Sequence, residues 1–260
     1  MIGPFYDQRV GVVAGNIKVR NVGESTWGDL QAAEYLMSIT MWKRWTNVMG
    51  TTMQASGACG AFRREALMDA GAWSAEITED IDVSMKAKKL GWKVKFAPAA
   101  IAMTTVPATL KSLIKQRVNW DRGMLRLYYH KHGDAMRFWR FGFGTAWEMA
   151  LEYLMGIIFN VVYAVYVVLM CILAFKLLTF VLLACYIFYT ALVFANLLVA
   201  ISFSERRKCE WWLLQYAVVF PFYKGILRWV RFYSIFIETF RLNYRYPYLP
   251  ETAYNNTERW

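Results

Sequence analysis

The run YLMGIIFNVVYAVYVVLMCILAFKLLTFVLLACYIFYTALVFANLLVAISF, Tyr153–Phe203, decides what kind of protein this is, because Lys176 is its only formal charge. One membrane-spanning helix needs roughly 20 apolar residues, and this run is about twice that length. It reads as two transmembrane helices, Tyr153–Phe175 and Leu177–Phe203, turning near Lys176. Residues 1–140 carry charge at an ordinary globular density, so the 57% hydrophobic content of the 260-residue chain is concentrated downstream. Arg206, Arg207 and Lys208 directly follow the second span, and clusters of this kind stay in the cytoplasm. Two spans return the chain to its starting side, so residues 1–150 are expected to be cytoplasmic too. The expected location is the inner (plasma) membrane, crossed more than once.

A net charge of +11 alone suits nucleic acid, anionic lipid or a phosphorylated substrate. Beside two spans it points to membrane lipid and, for a cytoplasmic site, to nucleotide-linked substrates, with no nucleic acid expected. Cys59, Cys171, Cys185 and Cys209 have no metal-ligand spacing and read as free thiols.

Along the chain, Val10–Val19 (VGVVAGNIKV) reads as a strand interrupted at Gly15-Asn16. Apolar residues recur at helical spacing from Gly28 to Trp45. A loop of small residues, Thr51–Ala61, contains Ser56-Gly57-Ala58-Cys59-Gly60, whose two glycines let a backbone approach a ligand or simply make turns. A short helix from Arg63 to Ala70 is expected to stop at Gly71, and a second to run from Thr78 to Leu90. Trp92–Phe96 alternates as a strand ending near Pro98, which suggests an α/β layer. Pro107 is expected to open a long amphipathic helix reaching about Tyr129. Residues 134–147 mix Arg with Phe and Trp as interfacial helices do. Trp211–Tyr223 is uncharged but short, so a third span and a re-entrant piece leading into a basic surface helix both remain open. The segment Leu242–Trp260 reads as a loop-like tail.

Two motifs carry chemistry. Ile77-Thr78-Glu79-Asp80 has a structural explanation, since Thr caps helices and acidic residues favour a first turn. A carboxylate held rigidly at a helix start can equally accept the proton of an attacking sugar hydroxyl. Downstream, Gln116-Arg117-Val118-Asn119-Trp120 puts Gln116, Asn119 and Trp120 on one helix face. That face is either a wet edge with a packing anchor, or an indole that stacks on a sugar beside groups that bind phosphate or hydroxyls. Asp80 and Asp82 form a D-x-D string, but residues two apart on a helix face different directions, which disfavours a shared metal.

These strings occur in one order: Gly15-Asn16-Ile17-Lys18-Val19 with Asn21, then Gly60-Ala61-Phe62-Arg63-Arg64, Thr78-Glu79-Asp80 and Gln116-Arg117-x-x-Trp120. From Val10 to about Gly133 the chain resembles the processive family 2 glycosyltransferases, which include synthases of poly-N-acetylglucosamine, chitin-like oligomers, hyaluronan and cellulose. The resemblance implies an α/β, partial GT-A domain followed by interfacial and transmembrane α-helices. It also implies inverting transfer from a nucleotide diphosphate sugar to a growing polysaccharide, and Mg2+ or Mn2+ whose ligands are not in this chain. By position, Asp80 would be the general base, with Glu79 and Thr78 in support. Ser56, Gly57, Cys59 and Gly60 would line the acceptor end. Trp120 would stack on the terminal sugar near the channel mouth, Gln116 would help bind the donor diphosphate, and Arg117 would bind substrate.

Two departures qualify this reading. Asn119 stands where the family has a second Arg; Arg122, three residues on, is the candidate substitute. The strands and D-x-D metal motif that precede the Gly15-Asn16 strand in the family have no counterpart here, so the chain is expected to be a carboxy-terminal part, inactive without a chain that carries the donor-binding half. The implied division is 1–131 for half a GT-A domain, 132–150 for an interfacial region, 151–240 for the membrane region and 241–260 for the tail. Two other readings compete: an inactive or regulatory membrane subunit that partners a complete synthase, and a small transporter subunit, which leaves the α/β region unexplained.

Overall fold

The computed structural model describes residues 1–74, 76 and 78–240. Ile77 of the acidic motif and the tail reading at Leu242–Trp260 lie outside the described residues. At the centre is a three-stranded sheet in the order β2-β1-β3, with β1 at Val10–Val19, β2 at Gly60–Phe62 and β3 at Lys93–Thr104. Strand β1 pairs antiparallel with β2 and parallel with β3, and all ten of its residues are buried. A strand covered on both faces needs no alternation, which is why its sequence is a near-continuous β-branched run.

Strand β1 is unbroken, and the expected interruption at Gly15-Asn16 is instead a register shift in which Gly15 faces Ala97 and Asn16 faces Ile101. The extra residues of β3 bulge at Pro98, where the missing N–H costs no ladder bond and the Asn16 amide donates to the Pro98 carbonyl (3.2 Å). Strand β3 therefore continues to Thr104, past the expected stop at Pro98. Gly15 is required by close approach, since a Cβ there would meet Cys59 Sγ at 2.1 Å.

Ser25 caps α1 (Thr26–Tyr35) by accepting the Gly28 N–H at 3.0 Å, so the helix starts before the expected Gly28. A π-helical turn at Leu36–Trp42 leads into α2 (Lys43–Met49), which ends at Gly50 in the left-handed conformation. Next come α3 (Arg64–Asp69) and α4 (Glu79–Lys89), close to their expected bounds. The following helix, α5 (Leu110–Leu125), is opened by Thr109, whose Oγ1 accepts the Ser112 N–H at 3.3 Å. Pro107 does not open it; its carbonyl accepts the Gln31 side-chain amide at 2.8 Å. Beyond α5 the helix continues as a π turn, Arg126–Lys131.

The aromatic segment forms a 3-10 turn at Gly133–Met136, α6 (Phe138–Phe141) and α7 (Phe143–Tyr153), with Phe138, Trp139, Phe143 and Trp147 exposed. Helix α7 passes through a π turn at Leu154–Ile158 into α8 (Phe159–Leu173), and α9 (Phe175–Ser202) follows. The break between the apolar helices is at Ala174 rather than Lys176, which lies in the first turn of α9. The runs Phe143–Leu173 and Phe175–Ser202 are each long and apolar enough to cross a membrane. Only 17% and 11% of their most apolar windows are buried, unlike a soluble core helix.

After the short α10 (Arg207–Glu210) and a 3-10 stretch, Trp211–Ala217, comes α11 (Phe220–Thr239). Its charges face partners: Lys224 pairs with Glu34, Arg231 with Asp121, Glu238 with Arg122 and Arg126, and Arg228 lies 4.2 Å from the Tyr163 ring. Helix α11 is thus bolted onto α1 and α5, with a wall of apolar core formed by Leu30, Leu113, Val193, Leu197, Phe220 and Tyr223.

Candidate active site

The strand motif proves to be scaffold. Asn21 clasps Val106 through both backbone groups (3.0 and 2.9 Å), and the Lys18 ammonium pairs with Glu210 at 2.8 Å and with Ser204 beyond α9. Arg63 donates to the Val10 carbonyl at 2.9 Å. These contacts hold β1, where the small-residue loop and α4 meet.

Ser84, one turn into α4, donates to the Asp80 carbonyl (2.7 Å) and accepts the Ala55 N–H (3.2 Å). The Gly57 N–H donates to Asp80 Oδ2 at 2.8 Å, and the Ile81 N–H to Oδ1 at 2.8 Å. Each carboxylate oxygen therefore spends one lone pair on a backbone donor and keeps another. Asp80 is half-buried, with both oxygens oriented by the backbone, which is the rigid placement that a general base requires. Glu79 beside it is half-exposed, and burial raises its carboxyl above the usual range, aided by the Asp80 charge. Thr78 is buried and its hydroxyl makes no capping bond among the described residues. It instead packs on Gly123 of α5.

That contact joins the two motifs. Gln116, Asn119 and Gly123 fall on one stripe of α5, and the stripe faces the start of α4. Gln116 Oε1 is buried with no hydrogen-bond partner among the described residues, and Trp120 is exposed. The neighbouring stripes serve other ends. Arg117 pairs with Glu34 and lies 5.0 Å from the Trp120 ring, while Asp121 pairs with Arg231. Burial alone would raise the Glu34 carboxyl, but Lys224 and Arg117 outweigh it and hold it at about 2. Arg122 is buried, with Nε on Glu238 Oε2 at 3.2 Å, because its i, i+4 spacing with Arg126 turns both toward α11.

In the loop, Ser56 Oγ accepts from Lys43 at 2.8 Å, Gly57 holds Asp80, and Cys59 sits between Ser56 and Gly15 through backbone bonds of 2.9 and 2.8 Å. Gly60 begins β2. Asp82 faces away from Asp80. Its carboxylate takes bonds from Ser74, from Lys86 at 2.8 Å, Lys131 at 3.1 Å and His132 at 2.8 Å. Burial opposes its ionisation, but the His132, Lys86 and Ser74 hydrogen bonds and the Lys131 charge hold it well below the usual carboxylate range. Among the described residues no three His, Cys, Asp or Glu side chains converge to hold a metal ion. The residues described do not fit the divalent metal that the resemblance implies, and no chemical step is assigned to one.

Sequence reading missed Glu34, Lys43 and Ser84. A lone Glu in the apolar string of α1 signals a buried partner, but nothing local says that the partners are Arg117 and Lys224. Ser84 in mid-helix gives no signal.

A small mixed sheet, a carboxylate oriented at the start of α4 and two long apolar helices downstream make up the arrangement. The family model described as "Glycosyl transferase family group 2" matches residues 2–237, and the chain belongs to that family. It is 39% identical over 119 residues to the poly-beta-1,6-N-acetyl-D-glucosamine synthase of Staphylococcus aureus, a match covering 45% of this chain and 29% of that protein. The Staphylococcus epidermidis protein of the same name is 37% identical over 128 residues, 46% of this chain and 31% of the relative. The match spans less than a third of each relative's length.

Proposed function

We propose that this chain is the acceptor and translocation part of an inverting, nucleotide-sugar-dependent polysaccharide synthase, and that it joins N-acetylglucosamine units. It lies in the plasma membrane with α8 and α9 as spans and the α/β region, a partial GT-A domain, on the cytoplasmic side. The observation that carries this reading is the Asp80 carboxylate, held by Gly57 and Ile81 N–H groups at 2.8 Å beside the small-residue loop.

In the proposed reaction, a hydroxyl of the polymer's terminal sugar gives its proton to Asp80 as its oxygen attacks the donor's anomeric carbon. A new glycosidic C–O bond forms, the bond from that carbon to the phosphate oxygen breaks, and the nucleoside diphosphate leaves with the electron pair. Asp80 supplies the proton acceptor at the moment it is needed. Trp120 offers an exposed aromatic face for the sugar ring, and Gln116 Oε1, which has no partner among the described residues, offers an acceptor for a substrate hydroxyl. Arg117 is engaged by Glu34 and acts by holding Trp120. The donor-binding groups and metal would come from a further polypeptide segment or chain. The alternative of a non-catalytic partner subunit draws on Asn119, which leaves that face of α5 without the family's cation.

The test is polymer formation from a nucleoside diphosphate N-acetylglucosamine in vesicles that contain this chain and a donor-binding half. Asp80→Asn should lower turnover by about 10²–10⁴, the usual contribution of a general base, with the donor's KM little changed. Turnover of the Asn variant near that of the wild type would remove Asp80 from the chemistry.

A further inference from the structure

Lys43, at the start of α2, belongs to none of the motifs above. Its ammonium donates to Ser56 Oγ at 2.8 Å and reaches the Gln54 carbonyl at 3.5 Å. The next residue in that loop, Gly57, gives its N–H to Asp80, and Gln54 is held from the far side by the Tyr128 hydroxyl at 2.8 Å. The loop is therefore held by three anchors, Lys43, Asp80 and Tyr128, of which Lys43 is the cation.

We infer that Lys43 is a positioning residue of the acceptor site: its ammonium ties the Gln54–Gly57 loop against the start of α4 and supplies the positive charge that faces Asp80. The inference rests on the acceptor-site reading proposed above. An ammonium has three donors; Ser56 and Gln54 take two, and the third remains for the acceptor sugar's hydroxyls or the Asp80 carboxylate. A base that takes a proton from a neutral sugar gains from a fixed loop beside it, since the acceptor hydroxyl then meets the carboxylate in one geometry.

The titration of Lys43 fits this placement. Burial lowers its amine to about 8, while the nearby Asp80 charge pulls the other way; Cys59 and Glu79 are further titratable groups beside the same loop. Strand β3, also packed on α2, meets it through an uncharged contact, Asn47 Oδ1 accepting the Phe96 N–H at 2.9 Å. Lys43 is thus charged at neutral pH and loses its charge as pH rises through about 8, whereas an arginine in its place would not.

Two measurements on the full chain in detergent test the inference. The first is the rate at which an acylating reagent modifies Lys43 at pH 7, read by mass spectrometry. Asp80→Asn removes the charge that favours the ammonium, so Lys43 should react roughly 3–10-fold faster. Lys88, whose amine burial also lowers to about 8 but which donates to the Thr52 carbonyl, should not change. The second is binding of a β-1,6-linked N-acetylglucosamine oligosaccharide. Lys43→Met should weaken it roughly ten-fold, the loss of a charge-assisted hydrogen bond. Lys43→Arg should preserve it, and wild-type binding should weaken between pH 7 and 9 while that of Lys43→Arg stays level.

If Asp80→Asn leaves Lys43 acylation unchanged, the inference is overturned whatever the protein's function. Acylation that responds as expected, in a wild-type chain that binds no oligosaccharide, overturns the acceptor-site reading and the positioning role with it. Oligosaccharide binding that Lys43→Met does not alter overturns the positioning role alone.

Discussion

Replacing Gly123 by Ala tests how the two motifs are joined. A Cβ at residue 123 would lie 2.7 Å from both Thr78 Cγ2 and Thr78 Oγ1, nearer than real Cβ contacts come. Thr is stiff at χ1 and Thr78 is buried, so neither branch can swing clear. Overpacking of this kind costs about 1–3 kcal/mol. Ala in a helix interior recovers about 1 kcal/mol over Gly. The net effect is a loss of up to about 2 kcal/mol, which at 2–4 °C per kcal/mol lowers Tm by up to roughly 8 °C. In a Thr78→Ala background both clashing atoms are gone and the nearest is the residue 78 Cβ at 3.3 Å. The same Gly123→Ala change should there be neutral or stabilising. Thermal unfolding of the four proteins, followed by near-UV circular dichroism in one detergent, gives the coupling directly. Gly123→Ala that raises Tm in the wild-type background, or that shifts both backgrounds equally within about 0.5 kcal/mol, would refute the packing of α5 on the acidic motif.

Two further expectations concern the buried charges. Glu34 has its folded pKa depressed from 4.5 to about 2, so its contribution of about 3 kcal/mol is complete above pH 4.5 and lost as pH falls toward 2. Glu34→Gln should be less stable at pH 7 and lack that acid loss; an identical pH dependence in both proteins would count against the Arg117–Glu34–Lys224 cluster. Asp82→Asn takes the carboxylate from Lys86, Lys131 and His132 and should destabilise by about 3–5 kcal/mol in chemical denaturation. A change under about 1 kcal/mol would mean that Asp82 does not organise this cluster.

Much of the local structure was legible because it is written in nearest-neighbour terms. The β-branched run of β1, the acidic start of α4 and the uncharged lengths of α8 and α9 each carry their own period or composition. Boundaries were missed where a distant residue decides them. Strand β3 passes Pro98 because Asn16–Val19 continue to pair with Ile101–Thr104. Helix α5 begins at Thr109 rather than Pro107, whose carbonyl is engaged by Gln31. The π turn after α1 has no sequence signature, yet it sets the direction in which α2 presents Lys43.

For the site the division follows sequence separation. The sequence by itself determined the residue types and their order: a small-residue loop, an acidic helix start, a Gln-Arg-x-x-Trp helix and two apolar runs, enough to indicate the family. The tertiary structure decided which of those residues are free to meet a substrate. Arg117 and Arg122 read alike as cations near the motif, yet Glu34 and Glu238, 83 and 116 residues away, engage them. Asp80 and Asp82 are two residues apart, yet Gly57 orients one beside the loop while Lys86, Lys131 and His132 claim the other. The physical reason is that hydrogen bonds and ion pairs are fixed by angstroms in space, and a sequence constrains those distances only within a turn or two of helix.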